Sequence, residues 1–131
     1  MKKIIVFSIL VASFVLVSCV ERNDKQQYNI SSESVLEKGY EVVPAEKVCM
    51  VNDRFMGVTQ IPVLADGTTY YGCCENCVKK LQGNIGGVRY AKDPVSGEKV
   101  DKAHAVILQN KEDGYVHYFS SQATAQKFMN Q

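Results

Sequence analysis

Four cysteines between residues 49 and 77 are the residues best suited to chemistry. Three of them, Cys73, Cys74 and Cys77, lie within five residues at the predicted junction of a strand and a short helix, and Cys49 lies upstream. Thiolates at the first turn of a helix are stabilised by unpaired backbone N–H groups and by the helix dipole, so they are better ligands at neutral pH. Their convergence predicts a site for a soft metal ion, Cu(I) or Zn(II).

The spacing leaves the ligand set partly open. Cys49 and Cys77 combine with either Cys73 or Cys74, because both adjacent cysteines precede the helix. Met50 is a further candidate, since a thioether sulfur favours Cu(I). Zn(II) would take a fourth ligand, which Cys74 or a histidine would supply.

A hairpin is predicted immediately before the cysteine helix. Two β-prone runs flank Asp66-Gly67, a dipeptide that tolerates the positive φ angles of a tight turn. Pro62 places the first strand at a sheet edge or ends it early. A helix of about two turns then covers residues 75–81 and is stopped by Gly83 and by the Gly86-Gly87 pair.

Residues 87–131, the second half of the predicted folded part, repeat this order at an offset of 47 residues. Identical residues fall on the turn, the strand end and the helix, which predicts a duplication with two similar β-β-α units. These pairs are Val48 with Val95, Asp66 with Asp113, Gly67 with Gly114, Tyr71 with Tyr118 and Lys80 with Lys127. The same shift places the four cysteines on hydroxyl residues, namely Ser96, Ser120, Ser121 and Thr124. Hydroxyls are poor ligands for soft metals, so the second half is interpreted as a scaffold without the chemistry.

The N-terminus indicates export and lipid attachment. A basic start is followed by an apolar stretch at residues 4–17, which is short for a membrane-spanning helix, so residues 1–18 are predicted to be a bacterial signal peptide. Residues 16–19 resemble the lipobox of bacterial lipoproteins, in which Cys19 becomes the lipid-modified N-terminus. Several acyl chains at one point hold a membrane firmly. We therefore expect a bacterial envelope protein anchored to a membrane, at its periplasmic or outer-membrane face.

Residues 20–34 are polar and cannot bury enough apolar surface to offset their ordering entropy. The lipidated N-terminus and a flexible tether are therefore expected at residues 19–44, with order beginning near Ala45. Removal of residues 1–18 leaves 113 residues with thirteen basic and fourteen acidic side chains, a net charge of −1. Near-neutral charge without a basic run argues against nucleic acid as a partner, and the length suits one compact domain.

The cysteines also admit a disulfide interpretation. An exported protein meets an oxidising compartment, and four is an even number of cysteines. Two disulfides are disfavoured because Cys73, Cys74 and Cys77 all lie at the start of one predicted helix, where only one of them easily reaches Cys49. A second disulfide would then join two neighbouring cysteines and would be strained. The metal site is favoured, and a disulfide-stabilised protein-interaction module without metal remains the alternative. A third hypothesis, a thiol oxidoreductase, would require Cys74 and Cys77 to cycle as a Cys-x-x-Cys pair.

No catalytic constellation is evident in the sequence, and we expect that the protein is not an enzyme. There is no nucleophile paired with a base and no carboxylate pair placed by a recognisable motif. His104 and His117 lie in strand-like segments, where a histidine is more often packed or solvated than bound to a metal.

Cys49 and residues 70–81 together resemble the TRASH-type metal-binding unit, a treble-clef-like β-hairpin and helix with a cysteine upstream and a cysteine pair at the helix start. Residues 93–128 resemble the related YHS unit, with serine or threonine where that family has cysteine. The layout of lipobox, tether, Cys-Met and two related halves is similar to the copper-binding accessory lipoproteins of nitrous oxide reductase, the NosL family. The resemblance implies ligand roles for Cys49, Cys73 and Cys77, with Cys74 and Met50 as candidates.

The sequence thus predicts an α+β fold, with two tandem β-β-α (treble-clef-like) units packed as one small globule behind a lipid-anchored flexible tether. Residues 45–86 form the metal-binding unit, and residues 87–131 form a degenerate repeat without cysteines. The expected function is binding of Cu(I) or Zn(II) for delivery, buffering or sensing. The expected partners are a membrane, through the lipid anchor, and an envelope metalloprotein recipient or a metal transporter.

Overall fold

The structure, a computed structural model, describes residues 39–131. The predicted signal peptide, the lipidation site Cys19 and the tether at residues 20–34 lie outside these residues. Within them the chain forms a mixed α+β fold of small sheets and short helices, as the sequence predicted. None of the helices in this part of the chain is long and apolar enough to cross a membrane.

Nine short strands and three helices follow one another along the described chain. The strands are β1 (Tyr40–Val42), β2 (Val48–Cys49), β3 (Arg54–Phe55), β4 (Ile61–Ala65), β5 (Thr68–Gly72), β6 (Tyr90–Lys92), β7 (Lys99–Asp101), β8 (Val106–Asn110) and β9 (Val116–Phe119). The helices are α1 (Glu75–Gly83), α2 (Ile85–Val88) and α3 (Gln122–Met129), and a 3-10 turn covers Ala45–Lys47.

The hairpin predicted around Asp66-Gly67 is confirmed. Strands β4 and β5 pair antiparallel from Ala65 opposite Thr68 outward. The two turn residues have φ angles of 51° and 76°, the left-handed values that a two-residue hairpin turn requires. The pair forms a two-stranded sheet, so Pro62 lies in a strand with an unpaired edge, where its missing N–H costs little.

Regular structure begins earlier than the predicted start at Ala45. Strand β1 joins β8 and β9 in a three-stranded sheet, with Tyr40 opposite Asn110 and Val42 opposite Leu108. The polar residues 20–34 led to the prediction of a tether up to residue 44, and the short segment at Tyr40–Val42 did not by itself reveal a strand whose partner lies almost seventy residues away. Pairing with a distant strand is set by tertiary structure rather than by local propensity.

The Gly86-Gly87 pair does not stop the cysteine helix, contrary to the sequence prediction. Helix α1 extends to Gly83, and both later glycines lie within the single-turn helix α2. The side chain of Asn84 caps α2 by accepting a hydrogen bond from the Gly87 N–H at 3.2 Å. A cap at the first turn outweighs the low helix propensity of two glycines over so short a segment.

The apolar core joins the two halves of the chain. One cluster combines residues from both halves, namely Val43, Val48, Ile107, Val116 and Tyr118. A second cluster lies under the β4–β5 hairpin and α1, and consists of Met50, Val63, Tyr70 and Leu81. A third lies between the three-stranded sheet and α3, and consists of Leu108, Phe119, Ala125 and Met129. Because the first cluster draws on both halves, the elements that carry the cysteines are packed directly against the second half.

Candidate metal centre

Two chain segments bring the cysteines together. Cys49 is the last residue of β2, and Cys73 directly follows β5. The backbone N–H of Met50 donates to the carbonyl oxygen of Tyr71 at 2.9 Å, which ties the end of β2 to the end of β5. Cys77 lies in the first turn of α1, so the turn from β5 into the helix carries its sulfur back toward Cys49.

The sulfur atoms of Cys49, Cys73 and Cys77 all lie within 4.8 Å of one another. The Cys77 sulfur is 3.8 Å from that of Cys49 and 3.6 Å from that of Cys73. Cys49 and Cys77 are buried, Cys73 is half-buried, and all three are free thiols. Within residues 39–131 this is the one group of three or more cysteine, histidine or acidic side chains positioned to hold a metal ion.

These separations fit one thiolate-bound ion. Thiolates bound at about 2.3 Å to a tetrahedral ion lie about 3.8 Å from one another. The contacts that Cys77 makes with Cys49 and Cys73, at 3.8 and 3.6 Å, match that edge length. A disulfide would require sulfurs about 2.05 Å apart. The three sulfurs are therefore close enough to bind one metal ion, and they are too far apart for a disulfide.

Gly72 permits this close approach. A Cβ atom on Gly72 would lie 3.0 Å from the Cβ of Cys77 and 3.3 Å from the backbone nitrogen of Val78. A side chain at residue 72 would therefore push the first turn of α1 away from β5. This requirement depends on packing between two elements, and its only trace in the sequence is the glycine before the cysteine pair.

Asn52 donates hydrogen bonds to the thiol cluster. Its side-chain amide lies 3.5 Å from the sulfur of Cys73 and 3.7 Å from that of Cys77. N–H donors stabilise thiolates and orient them, as the outer partners of metal ligands do. Asn52 was not among the predicted site residues, and its position three residues after Cys49 was the signal available in the sequence.

The four thiols differ in acidity. Burial raises the pKa of Cys49, but the backbone N–H groups of Asn52, Cys73 and Val51, with the Cys73 thiol, donate to its sulfur and lower that pKa overall. The hydrogen bond with Cys49 and burial raise the pKa of Cys73 to about 12. Burial, together with the hydrogen bond that its thiol shares with Cys74, raises the pKa of Cys77. Cys49 is thus the first of the three to ionise, and a bound cation must displace the protons of the other two.

Cys74 lies outside the three-sulfur group. It is the exposed N-cap residue of α1, and its sulfur is 3.6 Å from that of Cys77. The nearby backbone N–H and thiol of Cys77 lower the pKa of Cys74. Of the two adjacent cysteines left open by the sequence, the structure brings Cys73 together with Cys49 and Cys77.

The remaining candidates lie elsewhere. Met50 is fully buried in the apolar cluster with Val63 and Tyr70, and its role as a ligand stays a prediction. The ring of His117 packs against Phe128 at a centroid distance of 5.3 Å, and neither His117 nor His104 belongs to the metal-binding group.

An ion pair between the buried Lys102 and the half-exposed Asp53 fixes the turn that follows Cys49. The ammonium group of Lys102 donates to the carbonyl oxygen of Met50 at 2.8 Å and to the carboxylate of Asp53. The Tyr118 hydroxyl donates to the same carboxylate at 3.0 Å, and Asp53 has a left-handed φ of 52°. A charge buried in this way needs its partners, so Lys102 and Tyr118 hold the turn from the second half of the chain. Sequence reasoning missed both residues because nothing local marks them.

Comparisons with protein-family models, with curated proteins and with solved structures find no match to this chain. The resemblance to TRASH-type units and to the NosL family therefore stays a prediction, and the site stands on its geometry.

Proposed function

We propose that this protein is an envelope lipoprotein that binds one soft transition-metal ion, Cu(I) or Zn(II), through Cys49, Cys73 and Cys77. The observation that carries the proposal is the convergence of three free sulfurs within 4.8 Å of one another. A donor set made entirely of sulfur suits Cu(I) and Zn(II), whereas magnesium and calcium take oxygen ligands. Delivery, buffering or sensing of the ion is the role that such a site serves.

The order of elements supports two related units. The β4–β5 hairpin is followed by α1, and the β8–β9 hairpin is followed by α3. Together with the offset of 47 residues in the sequence, this order supports a duplication into tandem β-β-α units with a treble-clef-like active half. On this proposal the first unit kept, or gained, the thiols, and the second serves to hold the first in place.

The lipobox at residues 16–19 supports attachment to a membrane through Cys19. An anchored metal site exchanges its ion with another envelope component, and we propose a metalloprotein recipient or a metal transporter as that partner. The proposed role is binding and transfer, without catalysis and without nucleic acid.

Metal titration of the reduced full chain tests the proposal. We expect one equivalent of Cu(I) or Zn(II) per chain, and a large loss of affinity in Cys77→Ser, because the sulfur of Cys77 contacts both other ligands. The matched control is Thr124→Ser, at the counterpart of Cys77 in the second half, which should bind as the wild type does. Absence of stoichiometric binding, or equal binding by Cys77→Ser, would contradict the proposal.

Thiol titration of the native, non-reduced protein separates the metal site from the disulfide alternative. Free thiols, or thiols protected by bound metal and released by a chelator, are expected for Cys49, Cys73, Cys74 and Cys77. Complete oxidation of these four in freshly isolated protein would instead support a disulfide-stabilised module.

A further inference from the structure

The thiol cluster has two sides that share Cys77. On the inner side its sulfur contacts those of Cys49, at 3.8 Å, and Cys73, at 3.6 Å. On the outer side it contacts the sulfur of Cys74, at 3.6 Å, which is as short as the inner contacts. Cys77 is therefore common to a three-sulfur set and to a second, two-sulfur set.

The two sides differ in access to solvent. Cys49 is 0% and Cys77 is 5% exposed, whereas Cys74 is exposed on the surface. A donor on another molecule can reach the sulfur of Cys74 directly, but it cannot reach that of Cys49 without opening the fold.

We propose that Cys74 and Cys77 form an outer metal-binding position through which Cu(I) or Zn(II) enters and leaves the inner site of Cys49, Cys73 and Cys77. The inference rests on the proposed function and adds a route of transfer to it. On entry, a bond from the ion to Cys74 forms as a donor of the delivering molecule leaves, and Cys77 binds next. Bonds to Cys49 and Cys73 then form, and the bond to Cys74 breaks. Each thiol that binds gives its proton to water, each sulfur that leaves takes one up, and the oxidation state of the ion does not change.

This route predicts that removal of Cys74 slows metal transfer but leaves the equilibrium metal affinity unchanged. Cys74 is bound in the intermediate but not at either end of the transfer, so its removal raises the barrier without changing the affinity. Because the equilibrium constant is unchanged, the entry and exit rates must fall by the same factor, about tenfold for a barrier raised by about 1.4 kcal/mol.

The variant Cys74→Ser tests this separation with little risk to the fold. Serine is a favoured N-cap, and Ser121 already caps α3 by accepting a hydrogen bond from the N–H of Thr124 at 3.2 Å. Cys74→Asn is a second variant that keeps a capping side chain without a thiol. Unchanged thermal unfolding of the metal-free variants establishes that the fold is retained.

Stopped-flow transfer and equilibrium competition are measured on the full chain, kept anaerobic with a phosphine reductant. Cu(I) is supplied as its bicinchoninate complex in one series, and Zn(II) as its pyridylazoresorcinol complex in another. We expect wild-type stoichiometry and affinity in both Cys74 variants, with transfer slowed equally in each direction. Cys73→Ser is the control that should lose affinity.

Two results would overturn the inference while leaving the proposed function intact. Wild-type transfer rates in the Cys74 variants would show that the ion does not pass through the outer position. A loss of affinity as large as that of Cys73→Ser would show that Cys74 is a permanent ligand. Failure of the wild type itself to bind either ion would refute the proposed function and, with it, the inference.

Discussion

Helices α1 and α3 each begin directly after a hairpin, but the two helix starts are joined to the rest of the fold by different chemistry. At the start of α1, the sulfurs of Cys73 and Cys77 meet Cys49 at the end of β2. At the start of α3, Ser120 meets the carboxylate of Asp93, the residue that follows β6.

The Asp93 carboxylate is fully buried and is satisfied on both oxygens. One oxygen accepts from the backbone N–H groups of Val95, at 2.8 Å, and Ser96, at 3.1 Å. The other accepts from the backbone N–H of Ser120, at 2.8 Å, and from its hydroxyl, at 2.9 Å. A single anion thus ties the turn after β6 to the end of β9.

Serine and threonine also complete the start of α3. Ser121 and Thr124 form a reciprocal capping box, in which each side chain bonds to the backbone of the other. At the corresponding positions α1 has Cys74 and Cys77, and Cys74 makes no side-chain cap to the backbone.

The two helix starts differ in the strength of the contacts that join them to the fold. In the second half the join is closed by charge-assisted hydrogen bonds, which are strong and need no ligand. In the first half the join consists of sulfur contacts at 3.6 to 3.8 Å, which are weak as hydrogen bonds. A bound cation would close the first join as the Asp93 carboxylate closes the second. Four substitutions, with progressively smaller expected effects, test this comparison.

Cys77→Ser should remove most of the metal affinity. Structural zinc sites yield about 10 to 16 kcal/mol in all, so loss of one sulfur ligand should cost about 3 to 4 kcal/mol, or several hundredfold. Competition with a chelator of known affinity measures the change. An effect smaller than tenfold would show that the thiols are not the ligands, and the analogy with the second half would fail.

Asp93→Asn should destabilise the fold without changing metal affinity. The amide cannot accept on both sides, so buried N–H groups lose their partner, at a cost of about 2 to 3 kcal/mol. Urea unfolding of the metal-free protein measures the difference. A comparable loss of metal affinity would show that the Asp93 contacts and the thiol cluster are not independent.

The contribution of Asp93 should also depend on pH. Burial raises its pKa, but the N–H groups of Ser120 and Val95 and the hydroxyl of Thr124 hold that pKa well below its usual value of 3.8. A depressed pKa in the folded state stabilises the fold above the unfolded value, and that stability is lost as the pH falls through the folded pKa. The difference between wild type and Asp93→Asn should be constant above about pH 5 and shrink below pH 4. A constant difference down to pH 2 would exclude the carboxylate as the cause.

Gly72→Ala should disturb the thiol cluster and leave the contacts of Asp93 unchanged. The added methyl group would meet the Cβ of Cys77 at 3.0 Å, and overpacking of this kind costs about 1 to 3 kcal/mol. We expect lower stability together with weaker metal binding, measured on one sample by unfolding and by competition. Gly83→Ala, where a Cβ meets nothing within 4 Å, is the matched control. Equal effects of the two substitutions would refute the role assigned to Gly72.

Asn52→Ala should have the smallest effect. Loss of the amide donor to Cys73 and Cys77 removes an outer hydrogen bond of the site, which typically weakens metal affinity by about tenfold. Because Asn52 is exposed, stability without metal should be nearly unchanged. A loss of stability with unchanged metal affinity would show that Asn52 stabilises the turn and does not support the metal site.

The sequence predicted those parts of the fold that local signals determine. The Asp66-Gly67 hairpin, the start of α1 near Glu75 and the convergence of Cys49 with Cys77 follow from turn chemistry, periodicity and spacing. Strand β1 did not follow from these signals, because its partner is distant in sequence.

The choice between Cys73 and Cys74 could not be made from spacing. Adjacent residues of an extended segment point in opposite directions, so only one of the two can face Cys49, and the direction depends on how β5 leads into α1. The roles of Gly72 and Lys102 could not be predicted from the sequence either. Each depends on an atom of another element, the Cβ of Cys77 for one and the Met50 carbonyl for the other.

Elemental analysis of the full chain, purified anaerobically without added metal, measures whether a metal ion occupies the thiol site. We expect close to one copper or zinc per chain in the wild type and almost none in Cys77→Ser. An absence of both metals from the wild type, with Cys49, Cys73, Cys74 and Cys77 oxidised to disulfides, would contradict a metal site at the start of α1.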